Sequence, residues 1–301
     1  MFDLRALRYF LAVAQQGNIT RAAEQLHLTQ PTLSRQLQDL EEQLGVALFM
    51  RGKRHTELTA AGWQLKDRAY EILELARRTQ EDLSSKAEDQ AGEIVIGCGE
   101  TRAMRPLTAA FSQLQAAYPK LRVRLISGDE DLVSEQLAAG ILDFGVLCRT
   151  HPPSEHAYWQ LPFQDRWGLI LSATHPLAAQ EGIAPEDLSE VPLIVSRQAL
   201  SSYEIDHWLG RDLSQLQISA VFNLVYNAVF LVEDGAGCLL SFGDLISPLD
   251  LRARSLVFVP LKPELRSNNY LVWRKETTLS RAAQLLLERV RNDSANYAQK
   301  A

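Results

Sequence analysis

The chain has 301 residues, 46% hydrophobic and 23% charged, and a formal net charge of −6. This is an ordinary globular composition with room for two or three domains, and its acidic total argues against a general nucleic-acid binder. No run of about 18 apolar residues offers a membrane span, the charged N-terminus MFDLRALRYF has no apolar signal core, and the scattered cysteines Cys98, Cys148 and Cys238 suit neither a zinc site nor a disulfide framework; a reducing cytoplasm is the expected home.

The charge is uneven. Residues 1–60 hold seven Lys/Arg and six Asp/Glu, and the rest holds 24 and 31. Local placement, not the total, decides phosphate contact. Asp3 can cap a helix from Leu4 to about Gln16, ended by Gly17. Asn18 or Thr20 can cap a second, short helix that buries Ala22, Ala23 and Leu26. A third helix is expected from Thr29, its N-cap, to Gly45, its stop, with Pro31 in the first turn. Leu33, Leu37, Leu40 and Leu44 share one face. Polar side chains gather at its start, and Asp39, Glu41 and Glu42 at its end. A helix lying along a phosphate backbone would not end in three carboxylates, whereas one entering a groove by its N-terminal end tolerates them. Residues 46–50 and 55–58 read as a strand and its return around the basic turn Arg51-Gly52-Lys53-Arg54. Three helices and a basic hairpin make a winged helix-turn-helix.

Leu7-Arg8-Tyr9-Phe10, residues 18–26 (NITRAAEQL), residues 29–37 (TQPTLSRQL), Leu40-Glu41, Leu44-Gly45, Leu48-Phe49, Arg51 and residues 58–62 (LTAAG) together resemble the N-terminal signature of the LysR-type transcriptional regulators. The resemblance implies a winged helix-turn-helix, a long linker helix and a two-lobed α/β effector domain similar to periplasmic binding proteins. Thr29, Gln30, Pro31, Thr32, Ser34 and Arg35 then form the DNA-facing end of the third helix. Gln can pair bidentately with adenine and Arg with guanine. Arg51, Lys53 and Arg54 in the wing would meet phosphate or the minor groove, which positions and does not specify. His27 and Glu24 read as surface or scaffold residues.

Thr59 can cap a linker helix to about Ser85, whose apolar stripe Ala69, Ile72, Leu73, Ala76 and Leu83 is expected to meet a second copy. A polar, Gly-ended stretch over 84–92 reads as a hinge. From Gly92 strands alternate with helices, as in a parallel-sheet α/β unit. Strands are expected at 93–97, 121–126, 143–147, 167–171, 193–195, 238–242 and 270–274, and helices at 101–118, 131–139 and 279–291. The resemblance continues in residues 92–97 (GEIVIG), 140–145 (GILDFG), His175-Pro176-Leu177 and residues 232–237 (VEDGAG). It divides the chain into 1–58 (DNA binding), 59–90 (linker and dimerisation) and 91–301 (effector binding). Lobe I spans about 91–160 and 266–301, and lobe II about 161–265.

Ligands in such folds sit beyond the C-terminal strand ends, near helix N-termini. The effector candidates are Thr101, Ser127, Ser196, Arg197 and Tyr226. Arg102 or Arg197 favours a carboxylate effector, whereas Glu100 and Asp129 pull toward a cationic or hydroxylated one. Phosphate-loop, Gly-x-Ser-x-Gly and metal-spaced motifs are not found. The implied protein is no enzyme and needs no cofactor beyond a small-molecule effector of unknown identity. It is a homodimer or homotetramer acting on a partly palindromic promoter in double-stranded DNA, with RNA polymerase a further partner. The competing reading is a cytoplasmic α/β small-molecule-binding protein or enzyme whose N-terminal module makes protein contacts.

Overall fold

The computed structural model describes residues 3–51, 56–84, 92–275 and 278–297. These fall into two compact units, residues 1–84 and 85–301.

In the first unit, the caps act where the sequence places them. The Asp3 carboxylate accepts the Ala6 amide at 2.8 Å and opens α1 (Leu4–Gln16), which Gly17 stops at φ 59°. Asn18 caps α2 (Ile19–Gln25) through the Arg21 amide at 3.0 Å. Thr29 opens α3 (Gln30–Leu44), and Gly45 closes it at φ 71°. Leu33, Leu37 and Leu40 bury against Leu7, Phe10, Ala22 and Ala23, with Leu44 at the margin. The first wing strand, β1 (Phe49–Arg51), pairs antiparallel with β2 (Thr56–Leu58) and starts three residues later than expected. The reason is local. The Glu41 carboxylate accepts from the Leu48 and Phe49 amides at 2.6 and 3.1 Å, and the Thr59 hydroxyl donates to the Ala47 carbonyl at 2.7 Å. One of the three carboxylates that end α3 therefore anchors the wing to the helix.

Helix α4 (Ala60–Ser84) follows, with the Thr59 hydroxyl accepting the Gly62 amide at 3.0 Å. A Cβ on Gly62 would lie 2.2 Å from the Leu48 carbonyl oxygen, so this approach requires glycine. Here the dimerisation expectation needs correction. Ala69 is fully buried in the first unit's own core, and Leu73 packs against that core beside Ala61 and Leu65. The first turns of α4 lie on α1, so the stripe at i, i+4 faces inward. Ala76 is half-buried, and the side chain of Leu83 lies outside the described residues. The apolar side chains that α4 does expose are Trp63, Tyr70, Ile72 and Leu75.

The second unit is one mixed sheet bent into two lobes. Lobe I carries β3 (Glu93–Cys98), β4 (Arg122–Ser127) and β5 (Phe144–Arg149), with β3 central and parallel to both neighbours. Its helices are α5 (Met104–Ala117) and α6 (Glu130–Ala138). The 16-residue strand β6 (Ala157–Ser172) then runs out of lobe I into lobe II. Lobe II holds β7 (Leu193–Ser196), α7 (Arg197–Leu200), α8 (Tyr203–Leu209), β8 (Ile218–Phe222), α9 (Val225–Glu233), β9 (Cys238–Phe242), α10 (Pro248–Ala253) and β10 (Leu256–Pro260). Strand β11 (Arg266–Trp273) returns to lobe I, antiparallel to both β5 and β6, and α11 (Arg281–Tyr297) packs on α5. In lobe II, β6 pairs antiparallel with β9 and β10, and β7 lies parallel to β9 and β8. Each lobe buries an apolar cluster on both sheet faces. The early half of β6, together with β8, β10, α8 and α10, goes beyond the expected elements.

Replacing Glu41 with Ala should cost the first unit about 1–3 kcal/mol, because two part-buried amides lose their acceptor. Glu42→Ala, whose carboxylate meets only the Gln38 side chain at 3.1 Å, should stay within about 0.5 kcal/mol. Urea denaturation of the two variants checks the contrast.

Candidate functional site

Two surfaces carry the chemistry. The first is the start of α3. Thr29, Gln30, Pro31, Thr32 and Arg35 are exposed, and Ser34 is half-buried. The Thr29 and Thr32 hydroxyls bond each other at 2.8 Å. The side chains of Gln30 and Arg35 have no hydrogen-bond or ion-pair partner among the described residues, so their donors stand in solvent. At the other end of the helix Glu41 and Glu42 are engaged, by the wing amides and by Gln38. Arg51 ends β1, but its side chain, like Lys53 and Arg54, lies outside the described residues. His27 takes φ 54° in the turn before α3, a left-handed conformation that is uncommon for a residue with a Cβ.

The second surface is a cavity of about 490 Å³ between the lobes of the second unit. Lobe I contributes Gly99, Glu100, residues 128–131, 148–149 and 151–152, and lobe II contributes residues 196–199 and 201–204, Phe222, Asn223 and residues 240–242. Trp167, at the crossing, packs on Phe242 with ring centroids 4.4 Å apart and donates its indole N–H to Ser267 at 3.0 Å. Paired polar groups span the gap. Arg197 meets Asp129 at 3.5 Å, and Arg102 meets Asp244 at 3.2 Å. Gln198 donates to Glu130 at 3.4 Å. Glu204 accepts the Thr150 hydroxyl at 2.6 Å and the Thr150 amide at 3.1 Å. The backbone amide of Val225, at the start of α9, donates to the Glu100 carboxylate.

Hydrogen bonding holds Arg149 and Glu204 in their charged forms. The hydrogen bonds from Arg149 to Glu130 raise the Arg149 pKa against the opposing effect of burial. Burial pushes the Glu204 carboxyl up, but the Thr150 and Ser202 bonds outweigh it and hold the pKa low. The cysteines behave otherwise. Burial pushes Cys98 and Cys238 up to about 11 and Cys148 well above the usual thiol range, so all three stay protonated.

The candidate effector residues separate. Ser196 and Arg197 line the cavity, with the Ser196 hydroxyl accepting the Ala199 amide at 3.0 Å. Thr101 does not line it. Its side chain is buried at the lobe crossing and donates to Asp165 at 2.5 Å. Asn269 donates to the same carboxylate at 2.9 Å and accepts from the Cys148 thiol at 2.8 Å. Ser127 is exposed at the end of the edge strand β4, outside the cavity lining. Tyr226 is 58% exposed and receives a hydrogen bond from Arg254 at 3.3 Å, so it also leaves the lining. The expectation for these three fails because the segment, and not the individual side chain, was legible. Glu130, Arg149, Thr150 and Glu204 were missed. Strand β5 runs two residues beyond the expected Leu147, and that extension delivers Cys148 and Arg149 to the cavity wall.

Comparison with known proteins matches two family profiles, "Bacterial regulatory helix-turn-helix protein, lysR family" over residues 4–63 and "LysR substrate binding domain" over residues 87–295. The chain is 31% identical over 277 residues to the Hca operon transcriptional activator HcaR of Escherichia coli K12, covering 91% of this chain and 92% of that protein. It is 33% identical over 214 residues to the transcriptional regulator AlsR of Bacillus subtilis, covering 68% of each. Among solved structures it is similar to full-length CbnR complexed with its target DNA (TM-score 0.71, 25% identity, 97% of this chain and 99% of that one). It is also similar to full-length BenM (TM-score 0.53, 26% identity, 98% and 97%).

Asp165 is 5% exposed, and burial raises its pKa despite the Thr101 and Asn269 bonds. A carboxyl whose folded pKa is raised binds its proton more tightly folded than unfolded. Its ionisation therefore removes stability as pH rises from the ordinary aspartate value of 3.8 through the folded value. Asp165→Asn should lose less stability than the native chain over that rise. Urea midpoints of both proteins should diverge in favour of the variant as pH rises from about 4, and the difference should level off once the folded pKa is passed.

Proposed function

The chain belongs to the LysR family of bacterial transcriptional regulators, and from that premise we propose how its two units share the work. Residues 1–58 read DNA, 59–90 link and dimerise, and 91–301 hold the effector, with lobe I over about 91–160 and 266–301 and lobe II over about 161–265. The observation that carries this is the pair Gln30 and Arg35, exposed and unpartnered among the described residues at the start of a helix whose acidic residues lie toward its other end, where Glu41 is bound by the wing amides. A major groove receives such an end, where Gln matches adenine and Arg matches guanine. Thr29, Thr32 and Ser34 supply shorter contacts beside them, and Pro31 lets the helix start close to the groove. Arg51, Lys53 and Arg54 engage the backbone and fix the register.

Two copies present two such helices to the halves of a partly palindromic promoter site, as a dimer or a pair of dimers. Ile72, which the sequence already places on the partner-facing stripe, keeps that role together with Tyr70 and Leu75 of α4, in place of Ala69 and Leu73. The effector occupies the interlobe cavity beside Ser196 and Arg197. The pairs Arg197–Asp129, Gln198–Glu130, Glu204–Thr150 and Glu100–Val225 hold the lobes together, so a ligand that takes over any of these partners changes the relative free energies of two lobe arrangements. Only that differential affinity can shift the equilibrium. The protein acts in the cytoplasm, as a regulator and not as an enzyme.

Selection of genomic fragments by the purified full chain tests the reading. The native protein should enrich a common inverted repeat, with affinity that falls steeply as salt rises. Arg35→Ala should lose about 5- to 100-fold in affinity for the enriched site, in line with about 1–3 kcal/mol for a bidentate base contact. Enrichment of nothing at any salt would leave residues 1–58 as a protein-contact module.

A further inference from the structure

The sequence leaves open whether the effector is an anion or a cation, because arginines and carboxylates occur together near the strand ends. The cavity separates the alternatives by showing which charges are already paired. Among the described residues two guanidiniums line it, and neither stands alone. Arg149 bonds Glu130 at 2.7 Å and meets Glu155 at 3.0 Å, and Arg197 meets Asp129. A carboxylate ligand would have to compete with Glu130 and Glu155 for the half-buried Arg149, and at Arg197, whose side chain is 63% exposed and solvent-screened, it would meet the neighbouring Asp129 carboxylate. The first turn of α7, only four residues long, does not compensate. Ser196 already takes its Ala199 amide.

The carboxylates are in surplus. Glu100, Asp131 and Glu204 also line the cavity, and no guanidinium or ammonium among the described residues pairs with them. Glu204 is saturated by Thr150 and Ser202. Glu100 gives one oxygen to the Val225 amide, and Asp131 has no hydrogen-bond or ion-pair partner among the described residues. Glu100 and Glu204 are half-buried and Asp131 is exposed at the rim, and their summed negative field favours a positive ligand. A further observation points to a ligand independently of this charge. Ser241, at the end of β9, is 5% exposed and lines the cavity, and its hydroxyl has no hydrogen-bond partner among the described residues. A hydroxyl on the cavity wall with no protein partner leaves its donor and acceptor open to a ligand polar group. Trp167, Phe222 and Phe242 supply apolar and π surface nearby, which can hold a cation over a ring face.

We propose that the effector is a small organic cation, an amine or quaternary ammonium on an apolar body. Its charge lies toward Glu100 and Asp131, a polar group meets Ser241, and the body packs on the aromatic wall. This rests on the reading of the cavity as the effector site.

The test uses three probes of one shape and different charge, 2-phenylethylamine, 2-phenylethanol and phenylacetate, titrated calorimetrically into the full chain at pH 7 and fixed ionic strength. The amine should bind at least about tenfold more tightly than the carboxylate, with the alcohol between them. Asp131→Asn should weaken the amine about three- to tenfold and the alcohol less, and Ser241→Ala should weaken both amine and alcohol. Glu100→Gln should act as Asp131→Asn does, and a matching thermal melt confirms that the α9 contact has not been lost with the fold. Three results each overturn the proposal: phenylacetate binding as tightly as the amine, no heat from the amine at about 10 mM, or amine binding indifferent to both charge variants. A lining variant, Gln198→Trp, tells the two failures apart. If phenylacetate binds and Gln198→Trp abolishes it, the cavity stands as the effector site and only the cationic class falls. If any probe binds and is indifferent to Gln198→Trp, the site itself falls.

Discussion

One buried carboxylate sits where the chain passes between the two lobes of the second unit. Asp165 lies on β6 and faces Asn269 on β11, the outgoing and returning strands, and Thr101 reaches it from the segment between β3 and α5. Taking a carboxylate out of water is expensive, and two hydrogen bonds to one of its oxygens repay only part of that cost. The crossing therefore tolerates few alternatives to this arrangement. It ties Thr101 down, so the preceding residue, Glu100, is held at the cavity wall. The same network takes up the Cys148 thiol through Asn269, which leaves that cysteine structural. The cavity is thus built around a rigid crossing, with softer polar pairs, each 2.6 Å or longer where a carboxylate meets a side chain, spanning its open side.

Charge is sorted differently in the two units. The chain as a whole is acidic, and the surplus carboxylates are visible at the interlobe cavity. In the first unit one acidic residue at the end of α3 is drawn into structure. Glu41 holds the wing strand, while Glu42 stays exposed and accepts only from the Gln38 side chain. Arg35 keeps its donors in solvent. A helix with one arginine near its start and three carboxylates near its end is therefore polarised along its axis, which net charge alone would not have revealed.

The N-terminal unit was the most legible part of the sequence because its signals are local. Asp3, Asn18 and Thr29 cap, Gly17 and Gly45 stop, and the four-three-four leucine spacing of α3 fixes the buried face. What depends on contacts distant in sequence was not legible. The stripe Ala69–Leu73 has the spacing of a partner-facing surface, yet it turns inward because α1 lies beside it. In the second unit the alternation of strands and helices gave the class, while β8 and β10, with mixed half-buried faces, carry no clean pattern. The segments around the cavity were placed by strand ends, but the choice among neighbouring side chains was set by tertiary hydrogen bonding. Thr101 was removed from the wall by Asp165, and Tyr226 stands outside it beside Arg254.

The most direct measurement is base-by-base discrimination on an enriched site. Each position of one half-site is substituted in turn, and affinities of the native chain and Arg35→Ala are compared at one fixed salt concentration. Loss of discrimination at a single G·C pair in the variant, with the other positions still discriminated, is the result expected if the start of α3 reads base edges. A uniform loss of affinity across all sequences would make Arg35 a phosphate contact and contradict that assignment.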